Sequence, residues 1–314
     1  MSTVLLLAVL AAAAPAADSL APAAADSLPW RLRAVAVVVA HGDGRGQALE
    51  PSGIAVDAFG RIVVADAALN RLQRFEPDGR WLGESGGLGS DPGQLRRPGS
   101  VAMLGAITVA ALDRENRRVE TYDLFGRRLG TLIDLLDPAL ADRLGRVDPV
   151  ALAADRGGAL YVADADRDRV LAFDFAGVFL RTLGGYGARP GAFRGLSGIA
   201  TAPRGGLVTA ERVNARVQRL DPAGRVAASW PIPAARGPGA LAVAVDDSAR
   251  VAVVDEPSGR LWLYDAEGRT LAAESGLVRP RAVAFAPDGT LLVAEMGVVR
   301  RFVIERAAAL PRKD

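Results

Sequence analysis

Six acidic residues recur through the sequence at intervals of roughly 40 to 50 residues, each at the end of a short apolar run. They are Asp66, Asp113, Asp164, Glu211, Asp255 and Glu295. An arginine follows five residues later in the first five copies, at Arg71, Arg118, Arg169, Arg216 and Arg260. We expect the sixth copy, whose turn after Glu295 is shorter, to lack a matching arginine. Converging carboxylates could bind a cation. A catalytic or metal site normally breaks the symmetry of a repeat. Because these carboxylates occur in every copy, we instead expect a structural ion pair within each copy.

Composition restricts chemistry that depends on histidine or cysteine. The chain has one histidine, His41, and no cysteine. Thiolate metal sites, cysteine nucleophiles and disulfides are therefore excluded. Catalytic zinc usually requires at least two histidines, and a Ser-His-Asp arrangement would depend on His41 alone. We expect no metal and no organic cofactor.

An internal repeat of the sequence predicts the strands that would position these residues. One copy consists of four short runs rich in Val, Ile, Leu and aromatic residues, at 51–57, 59–66, 70–75 and 77–82. Further copies begin near Pro98, Pro149, Leu196, Ala240 and Pro280. Glycines such as Gly79 stand where a hairpin turn requires them. Four short strands at this period predict one blade of a β-propeller.

The last copy is incomplete, and the missing strand is found at the other end of the chain. The copy ends near 301–305, after its third run, whereas the segment 31–39 matches the fourth strand of the other copies. We therefore expect the N-terminal strand to pair into the last blade and close the ring. The prediction is an all-β fold: a six-bladed propeller of four-stranded antiparallel blades over residues 31–305.

The repeat resembles the NHL repeat. The pattern consists of Gly-Ile-Ala-Val-Asp at 53–57, Ile-Val-Val-Ala-Asp at 62–66, Asn-Arg-Leu-Gln-Arg-Phe at 70–75 and Asp-Gly at 78–79. The resemblance implies a six-bladed propeller. It leaves the function open, because the family includes protein-binding, RNA-binding, sensor and enzyme members. Related six-bladed propellers include metal-dependent lactonases and a zinc-dependent amidating lyase.

In such a propeller the innermost strand of each blade lines a central channel. Residues near the start of these strands are Ser52, Gly99, Val150, Ser197, Leu241 and Arg281. Arg281, Ser52 and Ser197 are the candidate ligand-binding residues of this set, and Arg281 is its only charge. A bound small anion and a solvated arginine are both open for Arg281. The set lacks the acids and histidines that a lactonase or lyase of this kind would require.

An insertion between the second and third copies, residues 132–145, has the pattern of a short helix. Its leucines at roughly helical spacing are Leu135, Leu140 and Leu144. Asp137 followed by Pro138 is a suitable helix start, and Gly145 is a suitable end. The helix could pack on its own blades or dock on a partner, so Leu135 and Leu140 are further candidate ligand-binding residues.

Charge and aromatic content argue against nucleic acid as a ligand. The formal net charge is only +2, and arginines such as Arg74 alternate with acids such as Glu76 along the outer runs. Aromatic residues make up 5% of the chain. Nucleic-acid surfaces instead combine an unbalanced basic face with stacking aromatics.

The N-terminus predicts export. Residues 4–14 are apolar, have the length of a signal-peptide core and are too short to span a membrane, although no lysine or arginine precedes them. We predict a signal peptide at 1–17, a low-complexity linker at 18–30 and a C-terminal tail at 306–314. The mature protein is then periplasmic or secreted, without stable membrane insertion.

These observations favour an exported, non-catalytic binding scaffold. Its loop-bearing faces would recognise a protein, a peptide or a carbohydrate, and we expect a monomer. The alternative is a propeller hydrolase or lyase, lactonase-like, that uses the central channel.

Overall fold

Twenty-five strands form six sheets in the computed structural model, which describes residues 28–233 and 239–307. Two N-terminal strands come first, β1 (Trp30–His41) and β2 (Gln47–Ala48). Blade 1 consists of β3 (Pro51–Val56), β4 (Ile62–Asp66), β5 (Arg71–Phe75) and β6 (Trp81–Gly86). Blade 2 consists of β7 (Pro98–Leu104), β8 (Thr108–Asp113), β9 (Arg118–Asp123) and β10 (Arg128–Asp134).

The remaining blades follow the same order after a short helix, α1 (Pro138–Leu144). Blade 3 consists of β11 (Pro149–Ala154), β12 (Leu160–Asp164), β13 (Arg169–Phe173) and β14 (Phe179–Gly184). Blade 4 consists of β15 (Leu196–Thr201), β16 (Leu207–Glu211), β17 (Arg216–Leu220) and β18 (Val226–Pro231). Blade 5 consists of β19 (Leu241–Val245), β20 (Val251–Asp255), β21 (Arg260–Tyr264) and β22 (Thr270–Glu274). Blade 6 begins with β23 (Ala282–Phe285), β24 (Leu291–Glu295) and β25 (Val298–Arg306).

Blade 6 is completed by the N-terminal strand. Its sheet order is β2-β1-β25-β24-β23, and β1 pairs antiparallel with β25 from Trp30 opposite Arg306 to Val39 opposite Val299. The predicted ring closure and the six-bladed all-β fold are confirmed. The predicted leader at residues 1–17 and most of the linker at 18–30 lie outside the described residues.

The hydrophobic core lies between neighbouring blades because each sheet buries both faces of its second strand. All five residues of β16 are buried, and those of β20 likewise. Val208 of blade 4 belongs to the same buried cluster as Val253 of blade 5. At the outer edge of this contact the rings of Trp230 and Tyr264 lie 5.9 Å apart. Neighbouring blades therefore stabilise one another by burying apolar surface.

The antiparallel order sorts the connections onto two faces of the ring. One face, here the turn face, carries the turns from first to second strand and from third to fourth strand. The other, the linker face, carries the turns from second to third strand and the linkers between blades. Both described chain ends lie on the turn face, where the Ala307 amide donates to the Pro29 carbonyl oxygen at 3.0 Å.

The insertion forms the predicted helix. The Asp137 side chain accepts from the amides of Ala139 and Leu140, at 3.0 and 3.2 Å, and Gly145 caps the C-terminus. Leu144 is buried in the core between blades 2 and 3, and Leu135, which precedes the helix, is buried there too. Leu140 is half-buried against the same cluster. The insertion thus packs on its own blades, and Leu135 has no surface left for a partner.

Among residues 28–233 and 239–307, no helix has the length and hydropathy needed to cross a membrane.

Candidate functional site

The innermost strands enclose a central channel with a cavity of about 870 Å³. A cavity of this size falls in the range of small-molecule sites, roughly 300 to 1,000 Å³. Its wall is made of small and aliphatic residues of the six first strands, including Ala55, Val101, Leu152 and Val243. Among the residues that line the cavity, the charged side chains all lie at the mouth on the linker face. The mouth is therefore the part of the channel that can select a ligand by charge.

The six repeated carboxylates do not converge on the channel. Each is buried with no exposed surface at the end of a second strand. Four form ion pairs with the arginine five residues later: Asp113 with Arg118 at 2.9 Å, Asp164 with Arg169 at 2.8 Å, Glu211 with Arg216 at 2.9 Å and Glu295 with Arg300 at 2.9 Å. The structural interpretation is confirmed for these blades.

The other copies use their carboxylates structurally with different partners. Asp66 accepts the amides of Leu49 and Glu50 at 3.0 and 3.1 Å, while its arginine, Arg71, pairs with Glu84. Asp255 accepts from Arg212, an arginine of the preceding blade, at 2.5 Å. In the described parts of the chain no three His, Cys, Asp or Glu side chains converge as metal ligands would.

The expectation that blade 6 has no matching arginine is wrong. Arg300 pairs with Glu295 at 2.9 Å. The turn Met296-Gly297 is short, so the third strand begins at Val298 and Arg300 lies inside it rather than at its start. Because the two side chains remain on the same side of the hairpin, the ion pair is preserved.

Burial changes the acidity of two of these carboxylates. Burial raises the pKa of Asp113 above its usual value, against the opposing effect of hydrogen bonds from Asn116, the Arg96 amide and Arg118. Burial likewise raises the pKa of Glu295. A carboxyl whose pKa is higher in the folded state stabilises the fold below its unfolded pKa, and this contribution is lost as pH rises through the folded pKa.

Ser52 and Ser197 lie at the channel, but their hydroxyls join neighbouring blades. The Ser52 Oγ donates to the Pro98 carbonyl oxygen of blade 2 at 2.6 Å. The Ser197 Oγ accepts the Leu241 amide of blade 5 at 3.1 Å. Both serines lie at β-bulges of the first strand, where the pairing register shifts by one residue. A bulge aims these hydroxyls across the blade boundary.

Arg281 lies at the mouth between two carboxylates. Its Nη1 contacts Glu50 of blade 1, and its Nε donates to Glu256 of blade 5 at 2.9 Å. Glu50 also accepts from Arg97 of blade 2 at 2.8 Å. Arg281 is the only charged residue among the six residues that the sequence places near the starts of the innermost strands. Closure of the ring places two acidic residues, Glu50 and Glu256, in contact with it. Its charge is offset within the protein, which argues against a simple anion site.

The charged residues form an arc around part of the mouth. This charged arc consists of Glu256, Arg281, Glu50, Arg97, Glu115, Arg114, Arg117 and Asp148. Blade 4 contributes uncharged residues to the same cavity, among them Ser197 and Gly198. The arc breaks the sixfold symmetry of the repeat, as expected of a ligand site. Sequence reasoning missed it, although the residue immediately before each first strand could have identified Glu50, Arg97 and Asp148.

Arg281 controls the acidity of its neighbour. Burial alone would raise the pKa of Glu256, but Arg279 and Arg281 outweigh burial and hold that pKa below its ordinary value. We expect Arg281→Met to raise the pKa of Glu256, measured by NMR titration of the side-chain carboxyl, because one of the two cations is removed. Arg269→Met, on the turn face, is the matched control and should leave Glu256 unchanged. An unchanged Glu256 titration in Arg281→Met would contradict this electrostatic assignment.

The single histidine lies away from the channel. His41 ends β1, the outer strand of blade 6, and its ring packs against Gly297 in the turn between β24 and β25. The predicted surface position of His41 agrees with its exposed side chain. Imidazole chemistry in the channel is therefore not available to this chain.

A second symmetry-breaking feature lies on the turn face. Five apolar side chains at turn tips of blades 1 to 3, here called the turn-face patch, are more than half exposed: Phe59, Ile107, Phe125, Phe175 and Val178. At the position of Phe59 the other five-residue turns carry Gly157, Arg204, Ser248 and Asp288. Sequence reasoning missed the patch. Its signal was a phenylalanine next to the glycine of a hairpin turn, where polar residues are usual.

Comparisons with known proteins support the fold and leave the family open. No family model matches the chain. The protein brain tumor of Drosophila melanogaster is 30% identical over 145 residues, which is 44% of this chain and 13% of that protein. Virginiamycin B lyase from Staphylococcus aureus has a TM-score of 0.63 at 12% identity, covering 87% of this chain and 99% of the lyase.

A catalytically inactive histidine-to-alanine variant of the same lyase, in complex with quinupristin, has a TM-score of 0.56 at 14% identity and covers 89% of both chains. At such identities the similarity extends to the propeller fold alone. The match to brain tumor covers about an eighth of that protein, so its activity and partners are not transferred to this chain. The chain is thus similar to these proteins in having a six-bladed propeller.

Proposed function

We propose that this protein is an exported, NHL-type binding scaffold without catalytic activity, and that it recognises a protein partner through the turn-face patch. The observation that carries the proposal is that, among the described residues, the exposed large apolar side chains at turn tips of the turn face belong to blades 1 to 3. A purely structural turn would repeat in all six blades. Exposed apolar side chains that are concentrated on one part of a protein surface typically mark interaction sites.

The energetics favour protein recognition over the other ligands considered. Phe59, Phe125 and Phe175 are 75%, 71% and 72% exposed, so almost all of each ring is available for burial. Burying one phenylalanine contributes about 1.5 to 3 kcal/mol. Aromatic anchors of this kind dominate protein interfaces. Three of them would contribute about 4.5 to 9 kcal/mol, a sum of the same order as the free energy that association itself costs.

The turns hold these side chains in place before binding. The amides of Phe59 and Arg61 both donate to the Asp57 carboxylate at 2.9 Å. In the third-to-fourth-strand turn of blade 2, the amides of Phe125 and Arg127 donate to Asp123 at 2.9 Å. A preorganised backbone reduces the entropy lost on association. The patch is therefore a rigid surface rather than a set of mobile loops.

We expect site-specific photo-crosslinking to capture a defined partner from the native host fraction when the photoreactive residue replaces Phe125. The same residue in place of Tyr186, which is 71% exposed on the linker face, is the matched control and should give no such product. Phe59→Asp and Phe175→Asp should reduce the Phe125 product at least tenfold, because a buried carboxylate is costly. Equal products from Tyr186, or none from either position, would refute the proposal.

The candidates chosen from the sequence do not enter this interface. Arg281, Ser52 and Ser197 lie at the channel and use their polar atoms within the protein. Leu135→Asp would place a charge in the core, so loss of binding in that variant would report unfolding. Leu140 keeps some exposure beside the cavity at helix α1 and is the one residue of that pair open to a ligand.

The alternative function is a lyase or hydrolase in the central channel. The observation in its favour is the enzyme-sized cavity, about 870 Å³, in a fold that resembles a lyase. Against it, the similar lyase becomes inactive on loss of a histidine, and His41 lies outside this channel. Turnover of lactones or cyclic depsipeptides by the purified protein, abolished by Glu50→Ala or Glu256→Ala, would favour the enzyme instead.

Export is the third part of the proposal and rests on residues 1–17. N-terminal sequencing of the protein recovered from its native host tests it. A mature chain that starts within residues 15–26, in the small-residue region, would support export, and a chain that retains the apolar run would not.

A further inference from the structure

The charged arc contains both tight and loose ion pairs, and the loose ones lie together over the channel mouth. Arg281 is held by Glu50 and Glu256, all three mostly buried. By contrast, Arg114 Nη2 and Asp148 Oδ1 are 3.7 Å apart, and each side chain is 47% exposed. Exposed ion pairs contribute little to stability, so this pair is opened at little cost.

A second loose pair lies beside the first. Arg97 Nε and Glu115 Oε1 are also 3.7 Å apart, and both side chains are about half exposed, while Arg97 Nη2 keeps its hydrogen bond to Glu50 at 2.8 Å. All four side chains line the same cavity as the apolar residues Val101 and Leu152 below them. The mouth therefore presents these two cations and two anions, together with the partly exposed Arg117, above an apolar channel.

This arrangement selects a ligand with two opposite charges close together and an apolar body. A simple anion would face Glu115 and Asp148, and a simple cation would face Arg97 and Arg114, so like-charge repulsion disfavours both. A free α-amino acid carries its ammonium and carboxylate on one carbon, a separation that matches the spacing of Arg114 and Asp148. A longer peptide separates its two terminal charges and loses this match.

We propose that the linker-face mouth of the channel binds a free α-amino acid with an apolar side chain. The Arg114 guanidinium donates to the ligand carboxylate, a pairing for which its planar fork is suited. The Asp148 carboxylate accepts from the ligand ammonium. The four charges then alternate in sign, and the ligand side chain extends into the channel beside Val101 and Leu152. This site is separate from the turn-face patch.

The test uses L-leucine as probe and isothermal titration calorimetry on the full chain. L-Leucine should bind saturably, whereas N-acetyl-L-leucine, which lacks the ammonium, and L-leucinamide, which lacks the carboxylate, should bind at least tenfold more weakly. No saturable binding of L-leucine up to about 10 mM, a Kd equivalent to less than 3 kcal/mol, would overturn the proposal. Equal binding of either blocked derivative would overturn it as well.

Variants of half-exposed residues locate the site without endangering the fold. Arg114→Met and Asp148→Asn should each weaken L-leucine binding at least tenfold, with an unchanged circular dichroism spectrum. Arg225→Met, an exposed arginine in a turn-face ion pair, is the matched control and should bind as the wild type does. Unchanged affinity in Arg114→Met, or equal loss in Arg225→Met, would show that the arc is not the site. The crosslinking of the turn-face patch is independent of these outcomes.

Discussion

A chain that begins at residue 42, and so lacks β1, should fail to fold cooperatively at 25 °C. β1 buries Leu32, Val38 and Val39 and supplies the antiparallel partner of β25. Burying three such side chains contributes about 5 to 9 kcal/mol, which is comparable to the whole stability of many proteins. Thermal unfolding followed by circular dichroism should therefore show no sharp transition.

Two control chains separate the loss of β1 from the loss of length. A chain that begins at Leu28 should keep the wild-type transition. So should a circular permutant in which a short linker joins Ala307 to Leu28 and a new terminus opens in the 42–46 loop, because Ala307 and Pro29 are hydrogen-bonded neighbours. A cooperative transition at the wild-type temperature in the chain without β1 would show that the ring does not depend on its closing strand.

Glu211→Ala should be among the most destabilising single substitutions in the protein. The Glu211 carboxylate has no exposed surface and accepts from the Arg194 amide, Asn214, Arg216 and Gln218 at 3.2, 2.5, 2.9 and 2.6 Å. Removing one member of a buried ion pair costs about 3 to 5 kcal/mol, because it leaves a charge and several donors unpaired. Urea unfolding should show a large decrease in the midpoint.

The matched control is an ion pair of similar geometry whose carboxylate is exposed. Glu84 pairs with Arg71 at 2.7 Å, but its side chain is 42% exposed, so Glu84→Ala should cost less than about 1 kcal/mol. If Glu211→Ala and Glu84→Ala shift the urea midpoint equally, the repeated carboxylates are not the structural elements described here.

The fold could be predicted because its signal is repeated. Every blade carries the same order of apolar runs, turn glycines and a terminal acid, so the pattern survives variation in any single copy. The incomplete last copy and the surplus N-terminal strand pointed to ring closure, which β1 and β25 confirm. The helix in the insertion could also be predicted from the sequence, since Asp137, Pro138 and Gly145 are local capping signals.

The positions that line the channel could not be aligned correctly from the sequence. Blades 1 to 4 contain a β-bulge near the start of the first strand, and blades 5 and 6 pair regularly. Ser52 and Ser197 are therefore bulge residues, whereas Leu241 and Arg281 lie one position earlier in the repeat. A bulge depends on pairing with the second strand and leaves no simple residue signature.

The contacts of the candidate site depend on closure of the ring and on side-chain direction. Glu50 and Arg281 are 231 residues apart and meet because blade 1 follows blade 6 in the ring. The burial of Leu135 depends on the path of the chain before helix α1, which leucine spacing does not reveal. The turn-face patch is visible in the composition of the turns, where Phe59 and Phe125 precede the turn glycines Gly60 and Gly126.

Because blade 6 contains strands from both ends of the chain, it can form only after the last strand has been synthesised. Arg33 of β1 pairs with Glu305 of β25, 272 residues later, so the first strand made must wait for the last one. At ribosomal rates of about 5 to 20 residues per second, this wait lasts roughly 15 to 50 s. During that interval the valine-rich segment 35–39 has no partner in its own sheet. A chaperone that binds the nascent chain would be expected to protect this segment, and slow translation would prolong its exposure.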